Sequence, residues 1–242
     1  MSFYEQALPH SVGNNGHVVR VGDTVRRPVG PHTPAVHAFL RHLERTGFAG
    51  APRVLGFDEQ GREVLTYLPG DVPGSDEPWA ATDEALLSVV ALVRELHEAA
   101  RGFVPPDDAE WGWPAAPEHR SDLVGHNDYC RDNVVFREGR AVAFIDFDWT
   151  TTTTPVWELA NVVAHWVVRM PGDHDARLRL VREAYPVEGL GAAMLRRNEW
   201  GTTLIQAKIG EGHPGFTEMW RNGGEERSAA LRAWVAEHVH DR

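Results

Sequence analysis

The stretch from Gly125 to Trp149, GHNDYCRDNVVFREGRAVAFIDFDW, constrains this chain more than any other part of it. Two β-rich runs, Asn133 to Phe136 and Ala141 to Phe147, flank the turn Arg137-Glu138-Gly139-Arg140, so the segment reads as a hairpin. A hairpin returns the chain beside itself. His126, Asp128 and Asn133, at and just before the first strand, therefore fall together with Asp146 and Asp148 at the end of the second. Hard divalent cations such as Mg²⁺ take carboxylate and amide oxygens and complete their octahedra with phosphate and water. An Asp plus an Asn, with a third carboxylate left free as a base, is the donor set that metal-nucleotide phosphoryl transfer requires.

The rest of the chain supplies two unequal parts. Before residue 70, His17 to Val21 and Thr24 to Arg27 read as a hairpin about Gly22-Asp23. Thr33 caps a helix over roughly Pro34 to Thr46, and Arg53 to Phe57 and Glu63 to Leu68 form two short strands. Pro69-Gly70-Asp71-Val72-Pro73-Gly74 breaks the pattern, which sets the expected boundary between lobes at 1–70 and 71–242. Beyond it, Leu86, Val89, Val90, Val93 and Leu96 share one stripe of a helix running from Thr82 to near Ala100. Residues 101–121 are a Pro- and Trp-rich connection, and helices are expected over about 156–169, 174–185, 190–209 and 225–239. The class is α+β, with a small β-rich lobe and a larger, mainly helical one.

Charge and cysteine usage narrow the functions. The formal net charge is 24 − 35 = −11, which argues against nucleic-acid binding. Residues 1–70 carry 7 basic and 6 acidic groups, and residues 71–242 carry 17 and 29. A neutral part joined to an acidic one suits an enzyme handling a cationic small molecule, and it equally suits a surface charged only for solubility. Cys130 has no partner for an internal disulfide. With no secretory signal and no apolar run of spanning length, the expectation is a cytoplasmic protein, monomeric or homodimeric and not membrane-inserted. Zinc is not expected, since there is no HExxH and no cysteine pair. Cys130 lacks a paired base and reads as a bystander.

The spacing is specific. His126-x-Asp128-x-x-x-x-Asn133, followed thirteen residues later by Asp146 at a strand end, matches the catalytic loop and metal aspartate of the protein-kinase-like fold. This stretch, with PVWELANVVAHW after it and RRPVGPHTPAVHAFLRHLERTGFAGAPRVLGFDEQGREVLTYLPG before it, resembles the aminoglycoside phosphotransferase family of small-molecule kinases. The resemblance implies a bilobal protein-kinase-like fold in which Asp128 orients the acceptor hydroxyl and Asn133 and Asp146 hold Mg²⁺. It gives His126 the task of supporting the metal-binding turn, and it places adenine against Thr66, Tyr67 and Leu68. Asp148 stands where many relatives have a small residue; it either touches a second metal through water or caps the following segment.

Two departures stand out. The only lysine, Lys208, lies far from the small lobe, so the phosphate-gripping position falls to Arg26 or Arg27. Strand alternation lets only one of them face the nucleotide, and Arg27 is the expected one. The family's helix glutamate is also missing, with His37 near its place and Glu44 only at the far end. Gly13-Asn14-Asn15-Gly16 is the expected phosphate-covering turn. For the acceptor, Trp149, Trp157, Glu158 and Glu211 are candidates, joined more weakly by Trp166 and Glu218; Trp157 and Trp166 also fit a packed stripe, and the resemblance puts a usually structural Asp where Glu158 stands. The resemblance therefore implies transfer of the γ-phosphate of ATP or GTP, with Mg²⁺, to a hydroxyl of a small molecule such as an aminoglycoside or a related metabolite. Its rivals are a catalytically silent sequestration or immunity protein of the same fold, and a peptide or protein kinase. The short step from Asp146 to Pro155 leaves little room for the activation segment of a protein kinase.

Overall fold

The computed structural model describes residues 5–7, 18–74 and 77–239. The Gly13–Gly16 turn and His17 lie outside the described residues. An antiparallel five-stranded sheet, in the order β1-β2-β3-β5-β4, is built from β1 (Gln6–Ala7), β2 (Val19–Val21), β3 (Thr24–Arg27), β4 (Val54–Phe57) and β5 (Glu63–Thr66). The turn between β2 and β3 falls on Gly22, whose φ of 61° suits a residue without a Cβ. Helix α1 (Thr33–Arg45) lies against this sheet, burying Val36, Phe39, Leu40 and Leu43 at helical spacing. Thr33 is its first residue rather than its cap; the hydroxyl accepts a hydrogen bond from Gly30 N at 2.9 Å.

The chain leaves the sheet at Thr66 and is tied to the second part at once. Asp71 and Phe136 exchange two backbone hydrogen bonds of 2.8 Å, and a Cβ on Gly70 (φ 154°) would run into the Phe136 carbonyl. Glycine is needed at that crossing because two main chains approach each other closely. Helix α2 (Asp83–Ala100) follows, with the Thr82 hydroxyl accepting from Ala85 N as its N-cap. Leu86, Val89, Val90, Val93 and Leu96 are all buried, so the stripe read from the sequence is the central wall of the core.

Among the described residues, two small ribbons and five helices stand around α2. The hairpin is β7 (Val134–Arg137) with β8 (Arg140–Phe144), in the register Val134↔Phe144 and Arg137↔Arg140. A second ribbon, β6 (Leu123–Gly125) with β9 (Thr151–Thr153), was not expected; the threonine run serves as a strand. Helices α3 (Pro155–Val163), α4 (His174–Ala184), α5 (Leu190–Gly210), α6 (Pro214–Arg221) and α7 (Gly224–His238) complete the chain, α6 being unforeseen. A π-helical turn, Ala164–Val168, prolongs α3. Among the described residues no helix is long and apolar enough to cross a membrane.

Candidate active site

Site construction begins at the open end of the β7–β8 hairpin. Beyond the last paired residues, Ile145 N donates to Asn133 O at 2.9 Å, which keeps the two strands together up to the residue before Asp146. Asp146 then turns the chain through φ 61°, ψ 68°, a left-handed conformation that aspartate tolerates better than most residues. The buried His126 fastens the same end: Nε2 donates to Ile145 O at 2.8 Å, while Nδ1 accepts from Asp128 N at 3.2 Å. One imidazole thus joins the loop of Asp128 to the strand of Asp146.

Asp128 and Asn133 meet directly. Asn133 Nδ2 donates to Asp128 Oδ2 at 2.9 Å and to Asp128 O at 3.1 Å. Because the NH₂ is engaged with Asp128, the amide oxygen is left as the acceptor end of Asn133. Burial raises the Asp128 pKa above the ordinary aspartate value, against the opposing pull of His126 and Arg197. The Cys130 thiol lies beside Asp128, and burial plus the carboxylates of Asp128, Asp132 and Asp146 push its pKa well up. That disfavours the thiolate and agrees with the bystander reading.

Helix α3 holds the loop from behind. Glu158 is fully buried and accepts from Asn127 N (2.6 Å), His97 Nε2 (2.9 Å) and the Tyr129 hydroxyl. Asn161 Oδ1 accepts from Tyr129 N at 2.6 Å, and Trp166 Nε1 donates to Tyr129 O at 2.7 Å. Burial would raise the Glu158 pKa, yet His97 and Tyr129 hold it below the ordinary glutamate value. A Cβ at Gly125 would run into this carboxylate, so glycine is required there. Glu158 is therefore an anchor of the Asp128 loop and not, as expected, an acceptor contact; Trp166 is core.

A depressed folded-state pKa stabilises the fold above the unfolded value, and the contribution disappears as pH falls through the folded value. Glu158→Gln should accordingly cost about 2 kcal/mol at pH 7 by weakening charge-assisted bonds. It should also flatten the acid limb of stability; Tm measured from pH 3 to pH 7 checks both effects.

The arginine question is settled in geometry. Arg27 is 8% exposed and turns inward, where Nε lies 3.1 Å from Glu63 Oε1, Nη1 3.2 Å from Asp146 and Nη2 2.5 Å from Asp148. Burial disfavours its charge, but Asp148, Asp146 and Glu63 together raise its pKa above the ordinary guanidinium value. Arg26 faces away and pairs with Asp58 at 3.7 Å, so its expected place in the nucleotide set is withdrawn. The missing helix glutamate has a substitute that sequence spacing did not reveal. Glu63 is the direct cross-strand partner of Arg27 in the β3–β5 register, and His37 of α1 reaches its other oxygen at 2.7 Å. Asp148 binds Arg27 and lies 3.4 Å from His32 Nε2, whose pKa it raises by hydrogen bonding.

These groups open onto one cavity of about 1080 Å³. Arg27, Thr66, Tyr67, Leu68, Asp128, Asn133, Asp146, Asp148, Trp149 and Trp157 all line it. Trp149 stacks on Trp113 with ring centroids 4.1 Å apart and planes 3° from parallel. Glu211 and Glu218 do not line the cavity; Glu211 is instead bonded to Lys208 at 2.8 Å, which removes it from the acceptor set. Asn133 and the half-exposed Asp146 both line the cavity, and the neighbouring Asp128 and Asp148 add negative charge.

Comparison with known proteins gives a concordant picture. The model of the phosphotransferase enzyme family matches residues 107–194. A trifolitoxin immunity protein from Rhizobium leguminosarum bv. trifolii is 34% identical over 193 residues, covering 77% of this chain and 68% of that protein. Among solved structures, the GDP complex of wild-type aminoglycoside 2'-phosphotransferase-IIIa superposes with a TM-score of 0.66 at 15% identity, covering 96% of this chain and 94% of that one. A choline/ethanolamine kinase family protein from Mesorhizobium loti gives 0.59 at 17% identity, with coverage of 95% and 92%. The bilobal α+β architecture expected from the sequence is the one these kinase-like structures share. By sequence relationship and by fold, this chain belongs to the aminoglycoside phosphotransferase family of phosphotransferase enzymes.

Proposed function

We propose that this protein catalyses Mg²⁺-dependent transfer of the γ-phosphate of ATP or GTP to a hydroxyl of a small molecule held in the cavity. The observation that carries the reading is the clasp between Asn133 and Asp128 beside Asp146, at the mouth of a cavity also lined by Arg27 and by Thr66 to Leu68. Asn133 and Asp146 would hold the metal, which supplies charge neutralisation at the phosphates. Asp128 orients the acceptor hydroxyl and takes its proton as the new oxygen–phosphorus bond forms, while the bond to the β-phosphate oxygen breaks and the nucleoside diphosphate leaves. Arg27, held in place by Glu63, offers the phosphates a planar fork where the family uses lysine. Residues 1–70 form the nucleotide-binding lobe and residues 71–242 the catalytic and acceptor lobe, the chain crossing between them near the Asp71–Phe136 bridge.

Mg-ATP at a hundredfold excess over its Kd should stabilise the protein by about 2.7 kcal/mol, readable as a rise in Tm. Nucleoside diphosphate release that depends on an added acceptor tests the catalytic step; absence of both effects would contradict the reading. A second reading has support of its own, since the relative cited above is named an immunity protein and Arg27 already pairs with Asp146. A protein that binds its small molecule but gains no stability from Mg-ATP would be a sequestering one.

A further inference from the structure

One reading of the net charge was an acidic cleft for a cationic acceptor, and the cavity has a different wall. From Trp149 onward its lining contains His165, Arg169, Arg197 and Arg227 but no aspartate or glutamate. The carboxylates remaining on its surface, Asp71, Glu77, Asp128, Asp132, Asp146 and Asp148, all come from the hinge and the metal-binding hairpin region.

Carboxylates act on two of these arginines through space, Glu158 and Asp128 on Arg197 and Asp128 on Arg169. Arg197 donates to Asn127 O, the residue before Asp128, and its guanidinium stands 5.3 Å from the Trp157 ring centre. Arg169 Nη1 donates to His165 Nδ1 at 3.2 Å. Arg227 donates to the carbonyls of Asn222 (2.6 Å) and Met219 (3.0 Å). None of the three arginines forms an ion pair with a carboxylate among the described residues. Burial, reinforced by Arg169, Arg197 and Arg131, holds the His165 pKa well down, so its ring stays neutral and accepts the Arg169 bond. Burial and the neighbouring Arg227 likewise lower the Arg169 pKa, opposed only in part by Asp128. Like charges crowded beside a cavity are unfavourable until an anion enters.

Five tryptophans share this wall. The Trp113–Trp149 stack is backed by Phe216 at 6.0 Å, and Trp157, Trp200 and Trp220 line the same space. We propose that the acceptor is an anionic, hydroxyl-bearing ring compound, its acid group met by Arg169 and Arg227, its ring held by the tryptophans and its hydroxyl turned to Asp128. The proposal rests on the phosphotransferase reading for the direction of the hydroxyl. The arginine wall disfavours a polycation such as an aminoglycoside, whose amines would face three guanidinium groups with no counter-charge on that side.

The test is a binding titration on the whole protein without nucleotide, so a chain that never turns over still answers. 4-Hydroxyphenylacetate and tyramine share ring and hydroxyl and differ in the sign of their charge; tryptophan fluorescence reads both. The acid should bind at least about tenfold tighter than the amine, with the preference shrinking as KCl rises. The paired replacement Arg169→Gln and Arg227→Gln should reduce the preference about tenfold, and Arg169→Lys should retain part of it. Four results would overturn the proposal: no binding of either probe, tyramine or kanamycin binding as tightly as the acid, an acid preference unchanged in the double variant, or a double variant that loses Mg-ATP stabilisation while keeping the acid. The last would make the arginines phosphate ligands.

Discussion

Replacing Asp128 with alanine is expected to lower kcat by about a thousandfold, in the range a positioned general base contributes, while Mg-nucleotide affinity stays within a few-fold of wild type. The split follows from geometry. Asp128 is clasped by Asn133 Nδ2, so it faces the acceptor side of the pair that would hold the metal, and its loss removes orientation of the hydroxyl rather than the phosphate grip. The protonated form of Asp128 is inactive in this account. Since burial raises its pKa, kcat/KM in the wild type should fall on the acid side at a pH above that of an ordinary aspartate. Single-turnover phosphorylation and nucleotide titration of the same variant read the two effects separately. A variant with normal turnover would remove Asp128 from the chemistry.

Arg27→Met should be the most damaging substitution for stability, about 3–5 kcal/mol, or a fall in Tm of about 10 °C. Three carboxylates contact this guanidinium, and Glu63 and Asp148 are even more buried than Arg27 itself. Removing the cation leaves them facing one another without compensation. Asp146 also loses the attraction that now counters its desolvation, so its pKa should climb further and the deficit against wild type should narrow as pH falls. Parallel thermal melts at pH 8 and pH 5 measure that narrowing. Arg27→Lys keeps the charge but not the three-way fork, and should fall between the two.

What the sequence made legible was what depends on local period and on fixed spacing. Helices α1 and α2 show themselves through apolar residues three and four apart, and the β7–β8 hairpin shows itself through a turn between two β-rich runs. The juxtaposition of Asp128, Asn133 and Asp146 follows from that hairpin alone. Strand alternation let only one of Arg26 and Arg27 turn inward, and the buried one is Arg27.

The unread parts are those set by distant pairings. Thr151–Thr153 became a strand by pairing with Leu123–Gly125, and a run of identical threonines carries no alternation to announce it. Glu63 answers Arg27 through a cross-strand register that no spacing within either strand encodes. Glu158 was read as an acceptor contact because a carboxylate beside aromatic residues can hold an amine, whereas helical rotation carries its side chain into the core, onto His97 and Tyr129. Trp113 lay in a connection without periodicity, and its stack on Trp149 joins residues 36 positions apart, 149 − 113.

The most direct measurement of the central claim is a crystal structure of the wild-type protein with Mn²⁺ and a non-hydrolysable ATP analogue, the metal located by its anomalous signal. The account predicts an ion held between the Asn133 amide oxygen and the Asp146 carboxylate, with Arg27 on the phosphates and the terminal phosphate turned to Asp128. A nucleotide bound without an ion at Asn133, or an Asp146 still paired only with Arg27 while the nucleotide lies elsewhere, would contradict it.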